Sequence, residues 1–225
     1  LCLATNLAAQ RPEKEKSPAD PARAFFAGLP VVRVQLSFDE TSRQLLRDKP
    51  REYAPARLVI DDTTFAKVGV KLKGAAGSFR DFDDTPGFTV HLGKFGGEER
   101  FHGLQRFHLN NGAQDDSRLC EWLGHEVFTA AKYPAPRVGH AIVRIDERAP
   151  RLYVLRESYD KQFLRRVLGE DLHGNLYDGG FCQDVDAELE KDAGDGPDDR
   201  ADLQALCDLC RGVDQRRAER LAAAV

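Results

Sequence analysis

The sequence has no methionine, only one tryptophan (Trp122), no internal repeat and no run of about 20 apolar residues. The last absence excludes a helical membrane span. A net charge of only −4 supplies no overall basic field, so nucleic acid is not an implied partner. Cys2, Cys120, Cys182, Cys207 and Cys210 have neither the count nor the spacing of a disulfide framework. Cys207 and Cys210 form a CxxC without the second ligand pair that a structural zinc site needs, and two cysteines on a helix is the simpler reading. Several catalytic patterns are also missing. Thr129 stands where a zincin would place its second histidine after "HEVFT". No serine lies in a G-x-S-x-G elbow. "DAGDGPDD" is acidic without the spacing of an EF-hand loop.

What is present is an ordinary globular composition, 41% hydrophobic and 31% charged, over a length sufficient for a sizeable core. Charge is unevenly spread. Residues 184–202 hold nine acidic and two basic side chains, which leaves the remainder of the chain positive. The default for such a run is a solvated surface loop. The chain starts at Leu1 with the apolar "LCLATNLAAQ" followed by polar "RPEKEKSPADP". Two readings fit: the tail of a secretory signal before a polar linker, or an N-terminal helix. The first implies a processed or partial chain and an exported or cell-envelope location; the second is compatible with the cytoplasm.

Period-two alternation marks strands at "VVRVQLSF", "ARLVID", "AKVGVKLKG", "GFTVHL", "LQRFHLN", "RVGHAIVRI" and "RLYVLRE". Short helices are expected at 39–48, 160–169 and from 200 onward, and residues 11–28 read as a linker. A longer helix, about four turns, is expected over 115–133, with Asp116 or Ser117 as N-cap and the Pro134–Ala135–Pro136 stop. The order of elements predicts an α+β fold.

Two local features carry chemistry. In "VGVKLKGAAGSFRDF" a strand runs into Gly74 and Gly77, with Ser78 beside them and Lys73 and Arg80 on either side. Glycines admit close backbone approach to an oxyanion and the cations match a phosphate. The spacing fits neither the Walker loop nor G-x-G-x-x-G, so hairpin turn and phosphate cradle both stand. On the 115–133 helix, steps of about 100° per residue gather Leu119, Leu123, Val127 and Ala130 into an apolar stripe, with Glu126 on its edge and Glu121 well away. A carboxylate bordering a buried face needs a cationic partner. Either a structural salt bridge or a site-organising ion pair satisfies that need.

The segments "AKVGVKLKGAAGSFRDFDDTPGFTVHL", "FHGLQRFHLNN", "EWLGHEVFTAAKYPAPRVGHAIVRI", "RLYVLRESYDKQFLRRVLG" and "GNLYDGGF", in this order, resemble the CotH kinase family, named for spore-coat protein H. "TPGFTV" departs from it, because members often place a lysine before that strand.

The resemblance implies an atypical protein-kinase-like fold that transfers the γ-phosphoryl group of ATP, with Mg2+ or another divalent metal, to serine of a protein partner. On that footing residues 30–157 form an N-lobe, an antiparallel sheet with one long helix. Residues 158–225 then begin a truncated C-lobe, and residues 1–29 are signal tail and linker. The loop Gly74–Ser78 covers the phosphates, flanked by Arg80. Lys73 is the phosphate-touching lysine, with Lys94 and Arg106 behind it. Glu126 holds that cation and Glu121 competes for the role. The backbone around Arg156–Tyr159, with Glu157, faces adenine as a hinge, and Asn110 and Asn111 are structural. The base and the metal ligands are expected downstream of Val225, so the chain by itself is expected to bind nucleotide poorly and to catalyse nothing. A non-catalytic, kinase-shaped scaffold of the cell envelope is the rival reading.

Overall fold

A computed structural model describes residues 20–169, 174–179 and 182–211. The N-terminal stretch read as a signal tail, the end of "GNLYDGGF" and the chain after Arg211 lie outside the described residues.

Seven strands form a closed barrel: β1 (Val31–Ser37), β2 (Ala54–Ile60), β3 (Thr63–Lys73), β4 (Gly87–His91), β5 (Arg106–Asn110), β6 (Val138–Ile145) and β7 (Arg151–Glu157). Around the barrel they run β1-β2-β3-β4-β5-β7-β6. Neighbours are antiparallel except at the seam, where β6 returns parallel to β1 and pairs Val31 with His140 through Leu36 with Ile145. The α+β expectation of an antiparallel N-lobe sheet with one long helix is therefore overturned. The chain is mostly β, and its helices are short: α1 (Pro21–Ala27), α2 (Glu40–Asp48), α3 (Cys120–Ala130), α4 (Lys161–Leu168) and α5 (Ala201–Arg211). The physical reason is closure. An open sheet would leave β1 and β6 with unpaired backbone edges, and pairing them with each other removes both.

Alternation does the rest. Val32, Val34 and Leu36 of β1, Leu58 and Ile60 of β2, Val68, Val70 and Leu72 of β3, Phe88 and Val90 of β4, and Phe107 and Leu109 of β5 are buried in one core. The intervening residues point outward. Register therefore aligns Lys71, Thr89, His108 and Arg156 as one row across the outside of β3, β4, β5 and β7. The β2–β3 turn needs only Asp61 and Asp62, with Asp61 at φ 47°, a conformation that Asp tolerates.

Three local readings change. Residues 21–27, read as linker, form α1 and bury Ala22 and Phe26 against the barrel. The acidic stretch contains strand β9 (Glu190–Gly194), paired with β8 (Asn175–Asp178) in a separate two-stranded sheet. The 115–133 helix shortens to α3, because Asp115 folds residues 115–119 into a turn by accepting from Ser117 N, Ser117 Oγ and Cys120 N. No residue of α3 is buried, and the apolar stripe lies open, with Leu123 50% and Val127 66% exposed.

Helix α4 starts where Asp160 accepts from Gln162 N at 2.9 Å and Phe163 N at 3.1 Å. Asp160→Ala is expected to lower the unfolding free energy by about 1 kcal/mol, and Asp160→Asn to lose much less. Denaturant midpoints of the two variants check this.

Candidate functional site

Where β3, β5, β7 and the start of α3 meet, the barrel exterior holds a cavity of about 400 Å³, within the size range of small-molecule sites. Lys73, Asn110 and Arg156 reach it from the strands, Glu121 from α3, and Gly74 and Ser78 from the glycine loop. Lys73 Nζ donates to Asn110 Oδ1 at 2.5 Å, and Asn110 Nδ2 donates to both Glu121 carboxylate oxygens at 2.7 Å. Arg156 Nε stands 4.0 Å from Glu121 Oε2. Asn110 thus separates the lysine from the glutamate and satisfies both.

Burial, then the nearby Arg156 guanidinium, pull the Lys73 ammonium down from its usual 10.5 to about 8, with Glu121 opposing the shift. Among the described residues Arg156 Nε is buried with no hydrogen-bond partner, while its guanidinium lies over the Tyr159 ring. Along the same face, burial pushes His108 down to about 2, so its imidazole is neutral and shares a 3.1 Å hydrogen bond with Thr89 Oγ1. Asp115 also lines the cavity. The Ser117 hydroxyl, then the Cys120 amide, hold its carboxyl down at about 2.

The glycine loop is a formed turn. Gly74 has φ 122° and Gly77 φ 86°. A Cβ on Gly74 would meet the Phe79 backbone at 2.8 Å, and one on Gly77 would meet the Gln114 side-chain amide. Within the turn, Ser78 Oγ accepts from Ala75 N, and the amides of Ser78 and Phe79 donate to Ala75 O. Asn111, buried, pins the loop by donating to Ser78 O at 3.1 Å and Thr85 O at 2.7 Å. Those engaged amides shift the weight of any anion site from the loop backbone to Lys73 and Arg156.

Other sequence-predicted residues lie elsewhere. Arg80 turns back on its own loop, donating to Phe79 O at 2.6 Å and Gly77 O at 3.1 Å. Glu126 is exposed on α3. Glu157 is buried at the end of β7, where it accepts from Arg166 and from Arg137 N. In the strand expected to serve as hinge, Arg156 and Glu157 are flanked by β5 on one edge and by β6 and Arg137 on the other. The Tyr159 carbonyl accepts from Arg106. Lys94 stacks over Tyr53.

Sequence reasoning assigned Asn110 a structural role and missed its place between Lys73 and Glu121. The alternation of β5 was the available signal, since Arg106, His108 and Asn110 share the face opposite Phe107 and Leu109. Arg156 also escaped as a side-chain contributor. Among the described residues, no group of three or more His, Cys, Asp or Glu side chains is arranged to hold a metal ion. Cys120, Cys182, Cys207 and Cys210 are free thiols. No described helix is long and apolar enough to cross a membrane.

The family model described as CotH kinase protein matches residues 70–217, a span that runs from the end of β3 past α5 and includes every residue of the Lys73–Asn110–Glu121–Arg156 network. No curated protein matches the chain.

Proposed function

The chain belongs to the CotH kinase family, and from that premise we propose that its cavity receives the phosphates of ATP for transfer of the γ-phosphoryl group to serine of a protein acceptor. The observation that carries this reading is that Lys73 and Arg156 converge on one cavity, Arg156 with its buried Nε lacking a hydrogen-bond partner among the described residues, while Glu121 and Asp115 there already accept hydrogen bonds. Lys73 and Arg156 stand against the carboxylates of Glu121 and Asp115, and a phosphate is the acceptor that an ammonium beside a guanidinium suits.

In this reading Lys73 and Arg156 hold phosphate oxygens, while Asn110 and Glu121 aim the lysine. Gly74 keeps the loop close to the ligand. ATP supplies the transferable phosphoryl group, and the protein contributes position and charge. The two carboxylates at the cavity are already hydrogen-bonded, Asp115 to Ser117 and the Cys120 amide and Glu121 to Asn110. In this reading a divalent ion such as Mg2+ would arrive with the nucleotide.

Titration with ATP across pH, followed by NMR signals of the Lys73 and Asn110 side chains, tests the proposal. Below about 8 Lys73 is charged and affinity is expected to be flat. Above that value it should fall by up to about tenfold per pH unit, with proton uptake on binding, because a bound phosphate raises the lysine's affinity for its proton. The ATP-free fold should respond in the opposite sense. The unfolded lysine keeps its proton to 10.5 while the folded one loses it near 8, so this group makes the fold more stable as pH rises through that interval. ATP that leaves both side-chain signals unmoved would refute the assignment of this cavity.

A further inference from the structure

A second cleft, of about 340 Å³, opens on the same outer face. His91 and Arg106 reach it from the barrel, Arg100 from the β4–β5 connection, Lys161 and Arg165 from the first turns of α4, and Asp192 from β9. Four basic side chains and an imidazole thus surround one small space. Its other carboxylate, Asp160, is committed to the α4 amides. Among the described residues His91 Nδ1 is buried without a hydrogen-bond partner. Asp192 Oδ2 is 3.8 Å from Arg106 Nη2, beyond hydrogen-bonding reach, so that carboxylate sits in the basic cleft without closing it. Burial also raises its carboxyl above the usual range despite Arg106. Lys161 lies 2.8 Å from Asp195, and Arg106 donates to Tyr159 O at 2.7 Å.

Converging guanidinium and ammonium groups suit a tetrahedral dianion better than a single carboxylate. We propose that this cleft docks a phosphoseryl side chain of the acceptor protein. The proposal rests on the phosphoserine-forming reaction inferred above, which makes this ligand as its own product. His91 pairs with Gly69 and Gly87 with Lys73 across β3 and β4. The two sites are therefore four residues apart along β3, about 13 Å. An extended peptide covers that distance in about four residues. A serine already phosphorylated can occupy the cleft while another, about four residues away, lies near the ATP site.

The test uses the whole chain and a serine peptide with one phosphoserine, its unphosphorylated twin, and inorganic phosphate. The phosphopeptide is expected to bind, to shift the His91 imidazole signals, and to lose about tenfold or more in affinity in Arg100→Ala and Lys161→Ala. Circular dichroism confirms that both variants fold, and neither residue touches the ATP cavity. Unchanged affinity in both variants overturns the proposal. So does equal affinity for inorganic phosphate, which marks a small-anion site, or for the unphosphorylated twin. Phosphopeptide binding abolished only by Lys73→Ala places the ligand in the ATP cavity and also overturns it. The ATP titration is read separately on Lys73 and Asn110, so failure of the nucleotide reading and failure of the docking cleft give different results.

Discussion

Replacing Glu157 by alanine is expected to lower the unfolding free energy by about 3 kcal/mol. The side chain is 6% exposed and its Oε2 lies 2.6 Å from Arg166 Nη2. The same oxygen accepts from Arg137 N at 3.0 Å, and Oε1 from Arg166 Nε at 3.3 Å. One carboxylate therefore joins the end of β7, the entry to β6 and helix α4. Removing it strands a guanidinium that keeps, among the described residues, the Ala135 carbonyl at 3.0 Å and the face of Phe163, and it leaves the Arg137 amide without its acceptor. Arg166 is 21% exposed, so water relieves part of the loss and the lower end of the range for a broken buried pair applies. Glu157→Leu with Arg166→Met should recover much of the stability, since an apolar pair of similar volume leaves no uncompensated charge. Urea denaturation of the single and double variants measures both effects. The same proteins decide the role of Glu157. A variant that keeps its stability and loses ATP binding would make Glu157 a nucleotide ligand after all.

Lys73→Ala is expected to weaken ATP binding by one to two orders of magnitude, the loss of one or two charge-assisted contacts, without a comparable loss of stability. The folded protein holds this ammonium at about 8, so truncation removes a charge that burial already penalises. Asn110→Asp gives the sharper contrast. It replaces the amide that donates to Glu121 with a second carboxylate beside it. Like charges at that distance repel, and Lys73 would be drawn into neutralising the pair instead of facing a ligand. ATP affinity should fall while the lysine's affinity for its proton rises, moving the pH break upward from about 8. Nucleotide binding unaffected by either substitution would remove Lys73 from the ligand set.

The strands were legible because each side chain reports its own face. The alternation of "VVRVQLS" and "GFTVH" follows from one wall facing an apolar core, and the strands fall close to where the pattern puts them. Closure was not legible. The β1–β6 seam joins residues more than a hundred positions apart in parallel, and neither strand carries a local mark of its partner. The α3 stripe misled for a related reason. Spacing shows that Leu119, Leu123 and Val127 share a face, but not whether anything packs against it, and that face is exposed. The acidic run likewise reads as solvated by composition, yet β9 carries Asp192 to Arg106.

By itself, then, the sequence determined the strands, the glycine loop, Lys73 beside it and the family resemblance, all consequences of residue type and short-range spacing. Tertiary structure decided what depends on distance between remote segments: that the sheet closes, that Glu121 and not Glu126 approaches the lysine, and that Asn110 stands between them. It also sent Glu157 to Arg166 and brought Arg156 to the cavity. Those outcomes turn on hydrogen-bond and ion-pair geometry a few ångströms across, set by a strand register that closure of the barrel imposes from outside each segment.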